Sequence, residues 1–282
     1  MSYDIAVVGG GPAGLSAALQ ARARNKSVLV VSGDDRDGPL DRAERVDNYL
    51  GLPGLSGAAM MEQFRTHAEA AGVARKKGRV LNIMTMNGRF YLGIGSDLEE
   101  AGAVVLATGV VRGQKYPGEA EFLGRGVSYC ATCDGMLYRN RDVAVVGLSA
   151  DATEEANYLQ SLGCRVTYIS PKAAKGLETG VKAITATRLE VAGNGAVEFL
   201  RADGREIPCA GVFILRPSLA PAELLPGLAL EGGYIKVDRN MATNIPGVFA
   251  AGDCTGLPLQ IAKAVGEGQV AGHRAAEYVT QG

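Results

Sequence analysis

An excess of charge of either sign is missing from this sequence. Its 282 residues carry 29 Lys and Arg against 30 Asp and Glu, a formal net charge of −1. Such a balance argues against a nucleic-acid partner, which would normally need a basic face. The one tight basic run, Arg75-Lys76-Lys77, reads as a solvated loop or helix end. Long apolar runs are missing too. No stretch of about 18 apolar residues exists, so no membrane span is expected. The chain opens at Asp4 directly into a strand pattern, and no secretory signal is expected. Histidine is scarce, with only His67 and His273. Of five cysteines only Cys130 and Cys133 stand close together. A zinc centre needs further ligands at matching spacing, and none is in sight, so no metal site is expected. Five cysteines without a secretion signal point to a reducing cytoplasm, where a close pair is catalytic rather than structural. Neither a repeat of solenoid period nor a low-complexity tract is visible.

What is present is a globular composition. With 47% hydrophobic and 21% charged residues, the chain can bury a sizeable core, and its length suits two domains. Residues 4–8 read as a buried parallel strand, followed by a glycine turn and a helix from about Pro12 to Arg24. Residues 27–31 complete a strand–helix–strand unit. A helix is expected near 60–72, antiparallel strands over 80–94, and a buried strand over 103–107. A second unit then begins, with a strand over 143–147, a helix near 151–162 and a strand over 165–169. Short strands and turns follow to residue 215. A last strand near 247–251 runs into a closing helix from about 260 to 278. The expected fold class is α/β: two Rossmann-like, three-layer ββα nucleotide-binding domains, the second inserted in the first. The expected boundaries are 1–112 with 240–282, and 113–239.

Two glycine turns and one dithiol carry the chemistry. In Gly9-Gly10-Gly11-Pro12-Ala13-Gly14 the first glycine makes the turn and the second lets backbone approach a pyrophosphate. The third permits close helix–strand packing, and the helix N-terminus supplies N–H groups and a positive dipole end. The strand–turn–helix context is what gives this motif weight. At the end of the next strand stands Ser32, with Asp34 and Asp35 close behind, as candidate ribose contacts. The corresponding turn in the second unit reads Gly147-Leu148-Ser149-Ala150-Asp151. Side chains stand there where backbone should meet phosphate, and Asp151 adds negative charge. Cys130 and Cys133, three apart, have the spacing of a redox pair that closes a small loop at a helix start. Asp134 is placed beside them as proton donor and acceptor; its alternative role is a helix cap.

Taken together, Val46-Asp47-Asn48-Tyr49-Leu50-Gly51, Ala107-Thr108-Gly109, Tyr116-Pro117-Gly118-Glu119, Gly126-Val127-Ser128-Tyr129-Cys130-Ala131-Thr132-Cys133-Asp134-Gly135 and Pro246-Gly247-Val248-Phe249-Ala250-Ala251-Gly252-Asp253 resemble the low-molecular-weight thioredoxin reductases, almost end to end. That resemblance implies FAD in the first domain, NADPH in the second, a homodimer, and reduction of the disulfide of thioredoxin. It implies that Cys133 lies nearer the flavin and that Cys130 attacks thioredoxin. By match of motif, Gly9, Gly11, Pro12, Ala13, Gly14, Ser32, Ala107, Thr108, Gly109, Gly252 and Asp253 would hold the dinucleotide. Asn48 would face the flavin, Val80 would meet the adenine through its backbone, and Gln260 with Ile261 would lie near the isoalloxazine ring. The Arg usual before that Gln is Leu259 here.

The family's second site departs further. The basic triplet that would grip a 2′-phosphate is reduced to Ser170-Pro171-Lys172, with Lys175 beyond. Loss of pyridine nucleotide binding is therefore expected. The sequence is most similar to the ferredoxin-dependent flavin thioredoxin reductases, which lack the NADPH motifs, so ferredoxin is the expected electron donor. Three alternatives stay open: an NADPH-dependent reductase in which a shifted turn or Lys172 and Lys175 rescue phosphate binding, an oxidase running the dithiol backwards onto oxygen, and a non-enzymatic redox sensor.

Overall fold

A computed structural model describes residues 2–33, 38–110, 115–149, 151–216 and 221–281. The chain divides into two compact units, Met1–Val111 with Ser218–Gly282, and Arg112–Pro217. The first unit opens with β1 (Ser2–Val8), α1 (Pro12–Arg22), β2 (Val28–Ser32), α2 (Gly57–Ala70) and β3 (Ala74–Lys77), followed by β4 (Val80–Met86), β5 (Arg89–Ile94) and β6 (Asp97–Leu106). The second unit holds β7 (Val127–Ser128), α3 (Ala131–Asp134), β8 (Asp142–Gly147), α4 (Ala152–Ser161), β9 (Arg165–Ser170), β10 (Lys182–Thr185), β11 (Leu189–Gly193), β12 (Val197–Ala202), β13 (Arg205–Pro208) and β14 (Gly211–Leu215). The chain returns to the first unit with α5 (Pro221–Leu224), β15 (Leu230–Glu231), β16 (Tyr234–Ile235), β17 (Val248–Ala250) and α6 (Ile261–Gln281).

In the first unit the strand order is β3-β2-β1-β6-β5-β4, with β17 also on β6. β1, β2, β3, β17 and the inner half of β6 pair in parallel, whereas β4, β5 and the outer half of β6 form an antiparallel meander. The sequence explains the parallel part. In β1, Ile5 and Val7 face one apolar cluster with the helices α1 and α6, while Ala6 and Val8 face another. In β2, Val28 and Val30 share the first cluster and Leu29 and Val31 the second. A strand buried on both faces must read as a continuous apolar run. Burying each such Val or Leu stabilises by about 1.5–3 kcal/mol. Ala17, Ala18 and Ala21 of α1 are fully buried, small enough for α1 to lie close to its neighbours. Ser56 caps α2, its hydroxyl accepting from the Ala59 N–H.

The second unit repeats the plan. Its parallel sheet has the order β10-β9-β8-β14-β7, and a separate antiparallel sheet has the order β11-β12-β13. This is the two Rossmann-like units expected from the sequence. The second crossing between them lies at 217/218 rather than near 240. The physical reason is burial: Leu224, Leu225, Leu228 and Ile235 pack in the same cluster as Val80, Ile83 and Leu92. The loop-rich stretch after residue 217, which shows little periodicity, therefore belongs to the first unit. Among the described residues, no helix is long and apolar enough to cross a membrane.

Candidate active site

The dithiol sits in the second unit, where β7 runs into α3. Cys130 and Cys133 are joined by a disulfide. Cys130 is itself the N-cap of α3, its Sγ accepting from the Cys133 N–H at 3.0 Å. The Thr132 hydroxyl lies 3.3 Å from the same sulfur. Cys130 is buried, and Cys133 is exposed. Asp134 closes α3 instead of capping it, so the cap role is taken by Cys130. The Asp134 carboxylate Oδ2 accepts from the Ser128 hydroxyl at 2.7 Å. Ser128 also accepts from the Cys130 N–H, and its Oγ lies 3.1 Å from the Cys130 carbonyl. Two residues outside this segment fix it. Glu155 of α4 accepts from the Ala131 N–H at 3.0 Å, and Tyr129 donates its hydroxyl to Glu119 at 2.9 Å.

Glu119 is fully buried and meets Arg216 through two short hydrogen bonds, 2.6 and 2.8 Å. It also accepts from the Tyr116 N–H at 2.8 Å, and the guanidinium lies over the Tyr116 ring. Burial pushes the Glu119 carboxyl up, but the Arg216 bonds and charge, with the Tyr116 and Tyr129 donors, outweigh it and hold the group below the usual carboxylate range. Nothing in the sequence pairs residue 119 with residue 216. Glu119 lies in the matched Tyr116-Pro117-Gly118-Glu119 segment, but its partner is 97 residues away.

In the first unit the candidate dinucleotide residues converge beyond the carboxyl ends of β1, β2, β6 and β17, the place where open α/β sheets bind ligands. Gly9 adopts φ +117°, and a Cβ there would run into the Ala107 carbonyl. Around Gly11 no atom would meet a Cβ within 4 Å, so this is the open side of the turn. A Cβ on Gly14 would strike the Gly9 carbonyl, because the helix must lie against the strand there. Pro12 takes the first helical position and Ala13 is buried behind it. Ser32 ends β2, and the Gly78 N–H reaches its carbonyl at 2.7 Å, which brings the start of β4 at Val80 to the same edge. Ala107, Thr108 and Gly109 follow β6, with the Ala107 N–H on the Val8 carbonyl. Gly252 takes φ +86° after β17. Asn48 donates to the Gln260 side chain at 2.9 Å, and Ile261 starts α6. Asp34 and Asp35 lie outside the described residues.

A network unread in the sequence holds the Gly252 turn. Lys263 donates to the carbonyls of Gly252 and Gly256 and pairs with Glu267. Glu267 accepts from the Gly252 N–H and the Thr255 hydroxyl. Lys and Glu four apart at the start of a helix were the available signal. Cys254 sits beneath this turn, bonded to the Leu106 and Ala251 carbonyls. Burial pushes its thiol up to about 11.

The second unit's turn carries side chains at 148 and 149. Leu148 is turned into the apolar cluster with Ala144, Val146 and Ile169. On the other side, a Cβ on Gly147 would run into the Tyr168 hydroxyl, and Tyr168 is buried under α4. Asp151, Glu154 and Glu155 put three acids at the start of α4, while Lys172 and Lys175 are exposed. The Ser170 hydroxyl donates to the Lys172 carbonyl, tying off the strand end where a basic grip would be needed.

The pyridine nucleotide-disulphide oxidoreductase family matches residues 3–268. The thioredoxin reductase of Listeria innocua is 33% identical, across 99% of this chain and 94% of that one. The thioredoxin reductase of Treponema pallidum is also 33% identical, across 98% and 97%. This chain belongs to the thioredoxin reductases. As a thioredoxin reductase it is a flavin-dependent disulfide oxidoreductase that uses FAD, and the open cradle at Gly11 fits the pyrophosphate of that group. Among solved structures, a ferredoxin-flavin thioredoxin reductase from Clostridium acetobutylicum is 43% identical with a TM-score of 0.92, across 100% of this chain and 99% of that one. A thioredoxin reductase from Gloeobacter violaceus is 32% identical with a TM-score of 0.86, across 99% and 95%.

Proposed function

We propose that this thioredoxin reductase draws its electrons from reduced ferredoxin and not from a pyridine nucleotide. The observation that carries this reading is the second turn, where Leu148 and Ser149 stand in place of glycines and the Tyr168 hydroxyl occupies the space beside Gly147. An acidic helix start behind it repels a phosphate. The likeness to ferredoxin-flavin thioredoxin reductase structures at 39% and 43% identity supports the same reading. Energetics allow it. A low-potential ferredoxin lies near about −400 mV and thioredoxin near about −270 mV, so two electrons crossing that gap release roughly 6 kcal/mol.

In this reading Gly9, Gly11, Pro12, Ala13 and Gly14 hold the FAD pyrophosphate, with Asp253 and Gly252 opposite and Ser32 and Val80 toward the adenosine. Ala107, Thr108 and Gly109 line the same crevice, and Asn48, Gln260 and Ile261 stand toward the ring. FAD supplies two-electron reduction of the disulfide. The chain's own task is to manage the two sulfurs. The Cys130 sulfur, with Cys133 N–H and Thr132 Oγ1 beside it, is held ready to carry negative charge when the bridge opens. Asp134 gives the proton that one sulfur needs. Cys130 then attacks the thioredoxin disulfide, and Cys133 resolves the mixed disulfide. Because Cys130 is buried, that attack requires it to be uncovered. The homodimer implied by the family resemblance is part of this reading and is checked by light scattering.

Anaerobic spectroscopy tests the donor. Reduced ferredoxin should bleach the flavin and support thioredoxin turnover, while NADPH and NADH leave the spectrum unchanged. Rapid bleaching by NADPH with turnover on thioredoxin would overturn the reading.

A further inference from the structure

Ser128 has a single hydroxyl proton and three polar neighbours. Its Oγ lies 2.7 Å from Asp134 Oδ2, 3.1 Å from the Cys130 carbonyl and 3.1 Å from the Cys130 N–H. The N–H can only donate, so the hydroxyl's own proton must go either to the carboxylate or to the carbonyl. Ser128 is buried, at 4% exposure, so water does not readily substitute for either arrangement. The other carboxylate oxygen of Asp134, Oδ1, has no hydrogen-bond partner among the described residues.

We propose that Ser128 is a positioning residue for proton exchange at Asp134, a hydroxyl that turns between the carboxylate and the Cys130 carbonyl as Asp134 gives up and regains its proton. The proposal rests on Asp134 being the acid of the site. When two electrons open the Cys130–Cys133 bridge, a protonated Asp134 and a thiolate become a carboxylate and a thiol. One proton passes from carboxyl to sulfur and charge is conserved. The Ser128 proton stays on its own oxygen throughout. With Asp134 neutral, Ser128 donates to the Cys130 carbonyl. With Asp134 ionised, Ser128 donates to Oδ2, 2.7 Å away in the structure. The hydroxyl thereby supports the carboxylate as it forms, and through its two backbone contacts it keeps the acid in register with Cys130.

The test uses the FAD-loaded enzyme reduced by dithionite, so the electron donor does not enter. Its reoxidation by excess oxidised thioredoxin is followed by stopped flow in water and in deuterium oxide. Ser128→Ala should slow the step about tenfold, the loss expected for one hydrogen bond to a charged group. The solvent isotope effect should rise and the half-saturating thioredoxin concentration should stay the same. Ser128→Thr should restore the rate. In an Asp134→Asn background, Ser128→Ala should add little further loss. If Asp134→Asn itself is silent, the acid assignment fails. If Asp134→Asn is slow but Ser128→Ala matches the parent enzyme, or slows the step equally in both backgrounds without rescue by Thr, the role of Ser128 is refuted.

Discussion

Gly11 and Gly14 stand three residues apart in one turn, yet replacing each with alanine should fail in a different way. Gly11 has φ −78° and ψ −175°, an extended conformation open to any residue, and a Cβ there meets no atom within 4 Å. The apoprotein should therefore tolerate Gly11→Ala at a cost below about 1 kcal/mol, the scale of a changed helix N-cap. The added methyl instead projects into the space where backbone N–H groups must reach a pyrophosphate. A hydrogen bond to a charged group is worth about 1.5–3 kcal/mol, so one lost bond weakens FAD binding by roughly 10- to 100-fold. At Gly14 the order reverses. A Cβ would collide with the Gly9 carbonyl and lie 3.2 Å from Val7 Cγ1, so the helix must move off the strand at a cost of about 1–3 kcal/mol or more. Stripping FAD, melting each apoprotein by circular dichroism and titrating FAD back by fluorescence quenching separates the two. Gly11→Ala should melt with the parent and bind FAD poorly, and Gly14→Ala should melt early. Parent-like FAD affinity in Gly11→Ala would refute the placement of the pyrophosphate. A Gly11→Ala apoprotein less stable than Gly14→Ala would refute the packing argument instead.

Arg216→Met should leave the Glu119 carboxylate buried without its cation and destabilise the second unit by about 3–5 kcal/mol, measured by denaturant unfolding. Adding Glu119→Leu should recover much of that loss. Because the folded Glu119 carboxyl is held below its ordinary value, its contribution is complete above about pH 4.3, the ordinary glutamate value. It is lost as the pH falls through the lower folded value. A parent protein whose acid limb matches that of the double variant would contradict this. Iodoacetamide at pH 8 on the reduced native enzyme should label the exposed Cys133 first and Cys130 only as it is uncovered, with buried Cys164, whose thiol burial pushes up, Cys209 and Cys254 protected, read by peptide mass spectrometry. Burial pushes the Cys209 thiol up to about 12 and the Cys254 thiol up to about 11, which leaves almost no thiolate at either. Comparable labelling of Cys209 would mean the second core is packed differently.

Much of the architecture was legible because its signals are local. The continuous apolar run Ile5-Ala6-Val7-Val8, three glycines at fixed offsets and a pair of cysteines three apart each state a nearby geometry. The altered second turn was half legible. Leu148 and Ser149 announce themselves in the turn, but Tyr168 acts from a neighbouring strand, and only the pairing of β8 with β9 brings it to Gly147. The Glu119–Arg216 pair and the Glu155–Ala131 bond were illegible for the same reason, since each joins segments that only tertiary packing brings together. The misplaced second crossing had a different cause. Leu224, Leu225, Leu228 and Ile235 lie in short turns and strands without periodicity, and their burial is a property of the sheet that receives them.

The bond from Glu155 to the Ala131 N–H ties α4 to the segment that carries the dithiol. On the ferredoxin-dependent reading α4 has no coenzyme to face and serves the helix that carries the dithiol instead. The two uses compete for the same positions, since the carboxylate that steadies Ala131 belongs to the acidic cluster a phosphate would have to displace. On that reading the acids that steady the dithiol helix are the same ones that stand against a pyridine nucleotide. Restoring glycines at 148 and 149 would reopen the turn while leaving the acids in place, and removing Glu155 would loosen the cysteines that make the enzyme useful.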